Sequence, residues 1–491
     1  MKKRNVLFMI LGIIILAYCV LTWILPTVSS FGGDLSSATR NQMGLFQLAA
    51  VPFEAFGGFA NLLVFILLVG GFYGVLEISG VYKRMLNLFA DKFKGKEKIF
   101  LIALICLVAI ISSITGLEVG LFFMFPLLIS ILLVMGYDKL TALSATLGAT
   151  IVGMFGATFA GTLYSVGNQS FNLTMTSGIL AKVILLVLGT GLLIFFTLMH
   201  VNKLTKKDKE LVKEDVKEIL VDVKEDKEKA KKKIWPLVLI VDLVLLFLVL
   251  GTTDWEGIFG SNWFSTAYDW LMSFEIGGFA LFGKLFGGIS AFGTWLAPNR
   301  FGFYSMFIIL ALVVIAIVYR IKPSNLLEGF INGVKKYIVP ALLAILASSI
   351  FVFVLYFPVY NTIGTWIIEL PGKIVPKLIG KFNLVTTGIF SLLSGAFYVD
   401  FYYYSYYVLS YVGQVAGDAN LYSLVNIMFT SLYSLAMLIA PTSVLMLISL
   451  AITNVSYKEW IKHIWKLFLC LLVVSFIVFS VLYAVTANIF L

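Results

Sequence analysis

The sequence is poor in charged residues, in histidine and in cysteine. Of its 491 residues only 13% are charged and 60% are hydrophobic, and the mean hydropathy is +1.00. An average water-soluble domain has about 25% charged and about 45–50% apolar residues. This composition excludes a soluble enzyme, a disordered protein and a nucleic-acid-binding protein. It indicates a chain that crosses a membrane several times.

The rare metal-binding residue types are also scattered. Cys19, Cys106 and Cys470 lie in separate apolar runs, and His200 and His463 are the two histidines of the chain. Without a Cys-x-x-Cys pair or a histidine beside a cysteine, the sequence indicates neither a disulfide framework nor a zinc or haem site. We therefore predict no enzymatic activity, and no cofactor apart from a coupling ion, Na⁺ or H⁺.

Positive charges stand in clusters between the apolar runs. The chain begins Met1-Lys2-Lys3-Arg4, followed by about 20 apolar residues to Leu25 without a small-x-small cleavage site, which predicts a retained first transmembrane helix. The second apolar run ends before a lysine-rich stretch from Lys83 to Lys98. Because cations favour the cytoplasmic side, we predict a cytoplasmic N-terminus.

Composition divides the chain into five segments. Residues 202–233 are rich in both lysine and acidic residues and contain neither glycine nor proline, which is typical of a solvated linker. Two amphipathic stretches, Asn325–Tyr337 and Ser456–Lys466, are predicted as interfacial helices, either ordinary membrane-surface helices or arms of a moving domain. The predicted segments are scaffold helices (1–98), a first repeat (99–201), the linker (202–233), a second scaffold segment (234–337) and a second repeat with the last helix (338–491).

Four polar breaks interrupt the apolar runs at membrane depth, where backbone can leave the helix only if protein or a cavity surrounds it. The breaks are 112–118, 153–168, 391–395 with Asp400 beyond it, and 440–443. The first and third share Ser-x-x-[Ser/Thr]-Gly followed by an acidic residue. Gly116 precedes Thr158 by 42 residues and Gly395 precedes Pro441 by 46, so each half carries two breaks at similar separation. Interrupted helices at corresponding positions of two halves are typical of the binding site of a secondary transporter.

These breaks supply the candidate site residues. Half-helix N-termini can bind an anionic group, and freed carbonyls with hydroxyls can bind sodium. Glu118 and Asp400 are candidates for ion coupling or for binding a substrate ammonium group, or else structural carboxyls. We predict a sodium site near Ser113, Thr115, Ser394 and Thr442. The predicted substrate-binding residues are Ser112, Ser113, Thr115, Glu118, Thr158, Asn168, Ser391, Ser394, Tyr398, Asp400, Thr442 and Ser443.

Two stretches resemble a known family. Gly116-Leu117-Glu118, then Phe125-Pro126-Leu127-Leu128 and Gly136-Tyr137-Asp138, is similar to the first hairpin of YfcC-like transporters, and Ile439-Ala440-Pro441-Thr442-Ser443 to their C-terminal signature. That family is related to the anaerobic C4-dicarboxylate carriers of the DcuC type. The resemblance implies an all-α, homodimeric, elevator-type secondary transporter of the bacterial cytoplasmic membrane, with two inverted repeats, re-entrant hairpins and broken helices. It also implies a carboxylate, amino-acid or short-peptide substrate, moved with Na⁺ or H⁺ or by exchange.

The sequence departs from that family at polar positions. The Glu-Glu pair of the first hairpin falls on Val119 and Gly120, and the Asn-Pro of the first broken helix is replaced in the region of Phe159 to Gly161. We predict an ion-coupled or exchanging carrier of a small carboxylate or amino acid that works by alternating access. The alternative is a non-transporting membrane receptor or assembly subunit that has kept the transporter fold.

Overall fold

The computed structural model describes residues 2–24, 43–204, 232–285, 287–296, 299–355, 383–409 and 419–488. Most of the predicted linker, 205–231, lies outside these residues. In chain order the helices are α1 (Lys2–Ile24), α2 (Leu45–Ser79), α3 (Tyr82–Lys92), α4 (Glu97–Thr115), α5 (Phe125–Val134), α6 (Lys139–Leu143), α7 (Ala149–Phe155), α8 (Gly161–Phe171), α9 (Ile179–Val201), α10 (Trp235–Thr252), α11 (Trp255–Phe259), α12 (Trp263–Ser273), α13 (Leu281–Leu285), α14 (Arg300–Val318), α15 (Pro323–Leu355), α16 (Leu384–Gly395), α17 (Phe401–Tyr404), α18 (Tyr422–Met437), α19 (Val444–Thr453) and α20 (Tyr457–Asn488).

The remaining regular structure is short. Two 3₁₀ helices (Val119–Met124, Ala419–Leu421) and two π-helical turns (Ser144–Gly148, Ser405–Leu409) continue neighbouring helices. Two antiparallel strands of two residues each form a short hairpin, β1 (Glu275–Ile276) with β2 (Phe279–Ala280). This hairpin is a small departure from the predicted all-α class. Among the described residues eight helices, α1, α2, α4, α9, α10, α14, α15 and α20, are long and apolar enough to cross a membrane. The chain is a mainly helical, polytopic membrane protein.

Helices α2 and α15 pack with their backbones in contact. A β-carbon at Gly74 would lie 2.2 Å from the Gly329 carbonyl oxygen, and one at Gly333 would lie 2.1 Å from the Gly70 carbonyl oxygen. Glycines four residues apart on both helices therefore permit this approach, as small residues do in many membrane helix pairs. Any larger side chain at these positions would separate the two helices.

The two predicted amphipathic stretches are not separate helices. Asn325–Tyr337 belongs to α15, which continues through Pro340, and nearly all of Ser456–Lys466 belongs to α20. The predicted boundary between 337 and 338 therefore falls inside one continuous helix. Each amphipathic stretch and the apolar span that follows it belong to one continuous helix.

Contacts at the end of α9 show how the first hairpin runs. Lys98 Nζ donates to Asn202 Oδ1 (2.9 Å), and His200 Nε2 lies 3.0 Å from Asp138 Oδ2. Residues 97–138 thus begin and end beside the same end of α9, which we call the His200 end. The turn between their two arms is the first break, near Gly116, which has a left-handed backbone (φ 66°).

The second half meets the first at both ends. At the end opposite His200, which we call the Asn168 end, Asn426 Nδ2 donates to Asn168 Oδ1 (2.9 Å) near the start of α18. At the His200 end, His463 Nε2 of α20 lies 2.8 Å from Ser144 Oγ. Helices α18 and α19 together therefore connect the two ends, with the fourth break between them.

Candidate functional site

The first and second breaks are joined by hydroxyl groups. Ser113 Oγ donates to the Gly156 carbonyl (2.8 Å) and lies 3.1 Å from Thr158 Oγ1 and from the Thr158 amide nitrogen. Thr162 Oγ1 donates to the Gly116 carbonyl (3.0 Å). Residues 43 to 46 positions apart thus satisfy backbone groups that each broken helix leaves unpaired.

The third and fourth breaks are joined in a similar way. Thr442 Oγ1 donates to the Ala396 carbonyl (2.5 Å), and Tyr433 OH donates to the Tyr398 carbonyl (3.3 Å). The hydroxyl of Tyr404 donates to the Ser391 carbonyl (2.9 Å) and lies 3.2 Å from Ser394 Oγ. Tyrosine hydroxyls therefore make many of the hydrogen bonds here that serine and threonine hydroxyls make at the first pair of breaks.

A buried ion pair attaches α14 to the third break. Arg300 Nη2 lies 2.9 Å from Asp400 Oδ2, and Asp400 also caps α17 by accepting from the Tyr402 amide (2.8 Å). The Arg300 residue is only 4% exposed, and its Nη1 is buried with no hydrogen-bond partner among the described residues. A guanidinium has five donors in a planar fork that matches a carboxylate. Part of this fork is therefore available for a further acceptor.

Glu118 stands at the first break and forms no ion pair with the residues that the structure describes. It is 6% exposed and lies within electrostatic range of both Arg300 and Asp400. Within the described parts of the chain its carboxyl group makes no hydrogen bond. The two acidic residues that follow the Ser-x-x-[Ser/Thr]-Gly strings are therefore near one arginine, one directly paired and one not. No group of three or more His, Cys, Asp or Glu side chains that could hold a metal ion occurs among the described residues.

The other predicted site residues are buried or partly buried and mostly bonded to backbone. Ser112 Oγ donates to the Thr150 carbonyl (2.8 Å), Thr115 Oγ1 to the Ile111 carbonyl (2.7 Å), and Ser443 caps α19. Tyr398 is buried, with its ring 5.4 Å from that of Tyr404. Asn168, bonded to Asn426, is the last residue of the second break and lies at the Asn168 end. The role of these residues in substrate binding stays a prediction.

Sequence reasoning missed Arg300. The residue follows Pro298-Asn299 at the edge of a Trp- and Gly-rich stretch, where an arginine is typical of a membrane flank. The one available signal was that Arg300 directly begins an apolar run with no other cation beside it. Lys182, inside an apolar run, is a second buried cation. Its Nζ donates to the Met175 carbonyl (2.9 Å) and lies 3.7 Å from the Tyr164 ring centre.

Comparison with known proteins identifies the family of this chain. A sequence model of the C4-dicarboxylate anaerobic carrier (DcuC) family matches residues 5–484, nearly the whole chain. The chain belongs to this family. It is also 24% identical over 144 residues to an uncharacterised protein of Haemophilus influenzae, a match that covers 29% of this chain and 28% of that protein.

Proposed function

We propose that this chain is a secondary active transporter that carries a small dicarboxylate, in the first place a C4-dicarboxylate, across the membrane. The observation that carries the proposal is the buried Arg300. Its Nη2 pairs with Asp400, and its Nη1 has no hydrogen-bond partner among the described residues. A buried cation with an unpaired donor raises the free energy of the folded state until an acceptor binds that donor. A substrate carboxylate would supply that acceptor.

The charges favour a dicarboxylate over an amino acid. An amino acid needs an anionic partner for its ammonium group, and one of the two candidates, Asp400, is already paired with Arg300. The second carboxylate of the substrate would bind the amides and hydroxyls at the ends of the broken helices, such as Ser394 and Thr442. An amino acid or short peptide remains the less favoured substrate class.

Transport by alternating access is supported by the arrangement of the breaks. The first hairpin starts from the His200 end. In the second half, Phe390 packs near Phe429 of α18 and the Ala396 carbonyl accepts from Thr442 beyond the end of α18, so α16 runs alongside α18 away from the Asn168 end. This opposite direction supports two inverted repeats. The close-packed α2–α15 pair would be the scaffold of an elevator-type carrier, and the four breaks would move against it.

For coupling we propose Glu118. A buried carboxyl group without a hydrogen bond among the described residues can take up and release a proton as the neighbouring Arg300–Asp400 pair changes partners. Sodium is the alternative, held by carbonyls of the breaks with Ser113, Thr115, Ser394 and Thr442. All four of these hydroxyls donate to backbone carbonyls, so their oxygen lone pairs stay available to a sodium ion.

The distribution of cations supports a cytoplasmic His200 end. Arg84 Nη1 donates to the Lys232 carbonyl, Lys232 Nζ to the Tyr319 carbonyl, and Lys98 to Asn202, which gathers cationic segments at one end. The short helices α11 and α12 at the other side carry acidic residues instead. Under the positive-inside rule the N-terminus is then cytoplasmic, in a bacterial cytoplasmic membrane. We further propose a homodimer, as in other elevator-type carriers.

The test is uptake of labelled succinate into proteoliposomes. A sodium gradient, a pH gradient and internal unlabelled dicarboxylate are imposed separately, so that the driving force is identified in the same experiment. Arg300→Gln should abolish uptake, and Arg300→Lys should leave a small fraction because lysine lacks the fork. The matched control is Lys182→Gln, a buried cation outside the breaks, which should transport nearly normally.

Other outcomes contradict the proposal. Saturable binding of dicarboxylates without uptake under any gradient would favour the non-transporting receptor. Uptake of amino acids with no competition by succinate would overturn the substrate class. Binding itself is checked by thermal unfolding in detergent, since a ligand at about 100 times its dissociation constant should add roughly 2.7 kcal/mol of stability.

A further inference from the structure

A cavity of about 220 Å³ lies at the His200 end, away from Arg300. Three parts of the chain enclose it: the α2–α15 pair, the return arm of the first hairpin around Pro126 and Ser130, and the turn after α19 at Asn454. The proposed scaffold and the proposed moving part therefore meet around this space. Its side chains include one acidic residue and two lysines, Glu77, Lys335 and Lys336.

The polar groups of this cavity are arranged to receive an anion. Lys336 Nζ lies 2.8 and 2.9 Å from the two carboxylate oxygens of Glu77. Tyr82 is 3% exposed, and its hydroxyl has no hydrogen-bond partner among the described residues. Lys335 adds a second positive charge, so the cavity carries one more cation than anion. Glu77 already shows that a carboxylate can bind Lys336 with both oxygens.

We propose that this cavity is a second carboxylate-binding site, in which a substrate carboxylate takes the place of Glu77 on Lys336. Tyr82 and Lys335 would bind the remaining oxygens. The inference rests on the proposed function, because it takes the carried dicarboxylate as the ligand. The site would hold substrate between the His200 end and the breaks, before or after it binds Arg300.

If the substrate displaces Glu77 from Lys336, substitutions of these two residues should change succinate binding in opposite directions. Glu77→Gln removes the competing carboxylate and should tighten succinate binding at the cavity, by roughly tenfold or about 1.4 kcal/mol. Lys336→Gln removes the binding group and should abolish it. Tyr82→Phe deletes one oxygen and retains the packing, so it should weaken binding several-fold. This variant still tests the cavity if Lys336→Gln fails to fold.

The measurement is saturation-transfer NMR of succinate on the full-length protein in detergent. Arg300→Gln serves as background, because it removes the proposed central site and leaves the cavity intact. Lys458→Gln, at the same end but outside the cavity, is the control and should leave the affinity unchanged. Inorganic phosphate is titrated as competitor. If it displaces succinate completely at equal concentration, the site is a general anion site and the assignment to substrate is wrong.

The results separate the two proposals. Loss of uptake in Arg300→Gln together with residual, Lys336-dependent binding supports both. Lys336-dependent binding in Arg300→Gln, together with a wild-type protein that does not transport, supports the second site and contradicts the proposed function. If Arg300→Gln binds no succinate, or if Glu77→Gln and Lys336→Gln change the affinity in the same direction, the second site is overturned.

Discussion

The two pairs of breaks have the same plan and are held by different interactions. At the first pair, Ser113 and its partners connect the two breaks through short hydroxyl side chains and backbone groups. At the second pair, Thr442 joins the two breaks, Tyr404 bonds to residues of the third break, and Asp400 adds an ion pair to Arg300 on a different helix. The first pair is tied to the other repeat by the hydrogen bond between Asn168 and Asn426. The second pair is tied to a helix outside both repeats.

This difference suggests a division of work between the halves. Hydrogen bonds from hydroxyl groups to backbone carbonyls keep a broken helix in place and have little reason to change during transport. An ion pair with a spare donor beside it can exchange partners when an anion arrives. Substitutions at the two pairs of breaks test this difference, and their expected effects decrease from Asp400 to Asp138.

Asp400→Asn should have the largest effect on stability, because it leaves Arg300 charged and buried without its partner. Losing one member of a buried ion pair costs about 3–5 kcal/mol. Thermal and denaturant unfolding in detergent measure the change. Glu118→Gln is the matched control and should cost less, since Glu118 has no hydrogen bond among the described residues to lose.

The double variant Arg300→Gln with Asp400→Asn sharpens this prediction. Removing both charges together should restore part of the lost stability, because no uncompensated charge is left in the interior. A double variant that is less stable than Asp400→Asn alone would show that the two residues act independently.

Ser113→Ala should destabilise the first pair of breaks by an intermediate amount. Interhelical hydrogen bonds in membranes contribute about 0.6 kcal/mol each, and Ser113 Oγ joins three atoms of the second break. We expect a loss of about 1–2 kcal/mol with the transport affinity unchanged. A large rise in KM with normal stability would instead place Ser113 on the substrate.

Thr442→Val is the matching change at the second pair of breaks. It removes one hydrogen bond, to the Ala396 carbonyl, and keeps the shape of the side chain. We expect a loss of about 0.6 kcal/mol in the same unfolding assay. A loss larger than that of Ser113→Ala would reverse the comparison between the two pairs.

The smallest effect is expected at Asp138, which anchors the first hairpin away from the breaks. Burial alone would raise the pKa of Asp138, but hydrogen bonds from His200 and from Thr141 outweigh it and lower the pKa below its usual 3.8. A lowered pKa means that the folded state favours the charged form, so the stabilisation is present above about pH 4 and is lost as the pH falls further.

Asp138→Asn tests this anchor because asparagine still caps α6. The variant should be slightly less stable than the wild type at pH 7, and the difference should shrink as the pH falls below about 4. Unfolding midpoints measured across this range check the prediction. A constant difference between the two proteins at every pH would mean that the Asp138 charge contributes nothing.

Much of the fold follows from local features of the sequence. Apolar length predicted the spans, and serine, threonine and glycine at membrane depth predicted the breaks, because unpaired backbone in the bilayer needs nearby polar groups. The two amphipathic stretches were predicted as interfacial helices, and the structure adds that each continues without a break into the span that follows it. Among the site residues, Asp400 was predicted as a coupling, substrate-binding or structural carboxyl; the structure pairs it with Arg300, and its role stays a prediction.

The sequence by itself determined that this chain crosses the membrane many times and that each half has two interrupted helices, since both properties depend on the order of polar and apolar residues along the chain. Only the tertiary structure decided that Arg300 meets Asp400 and that Glu77 meets Lys336. These pairs join residues 100 and 259 positions apart. Nothing local distinguishes such an arginine or lysine from a residue at the membrane surface, because its partner is chosen by the packing of distant helices.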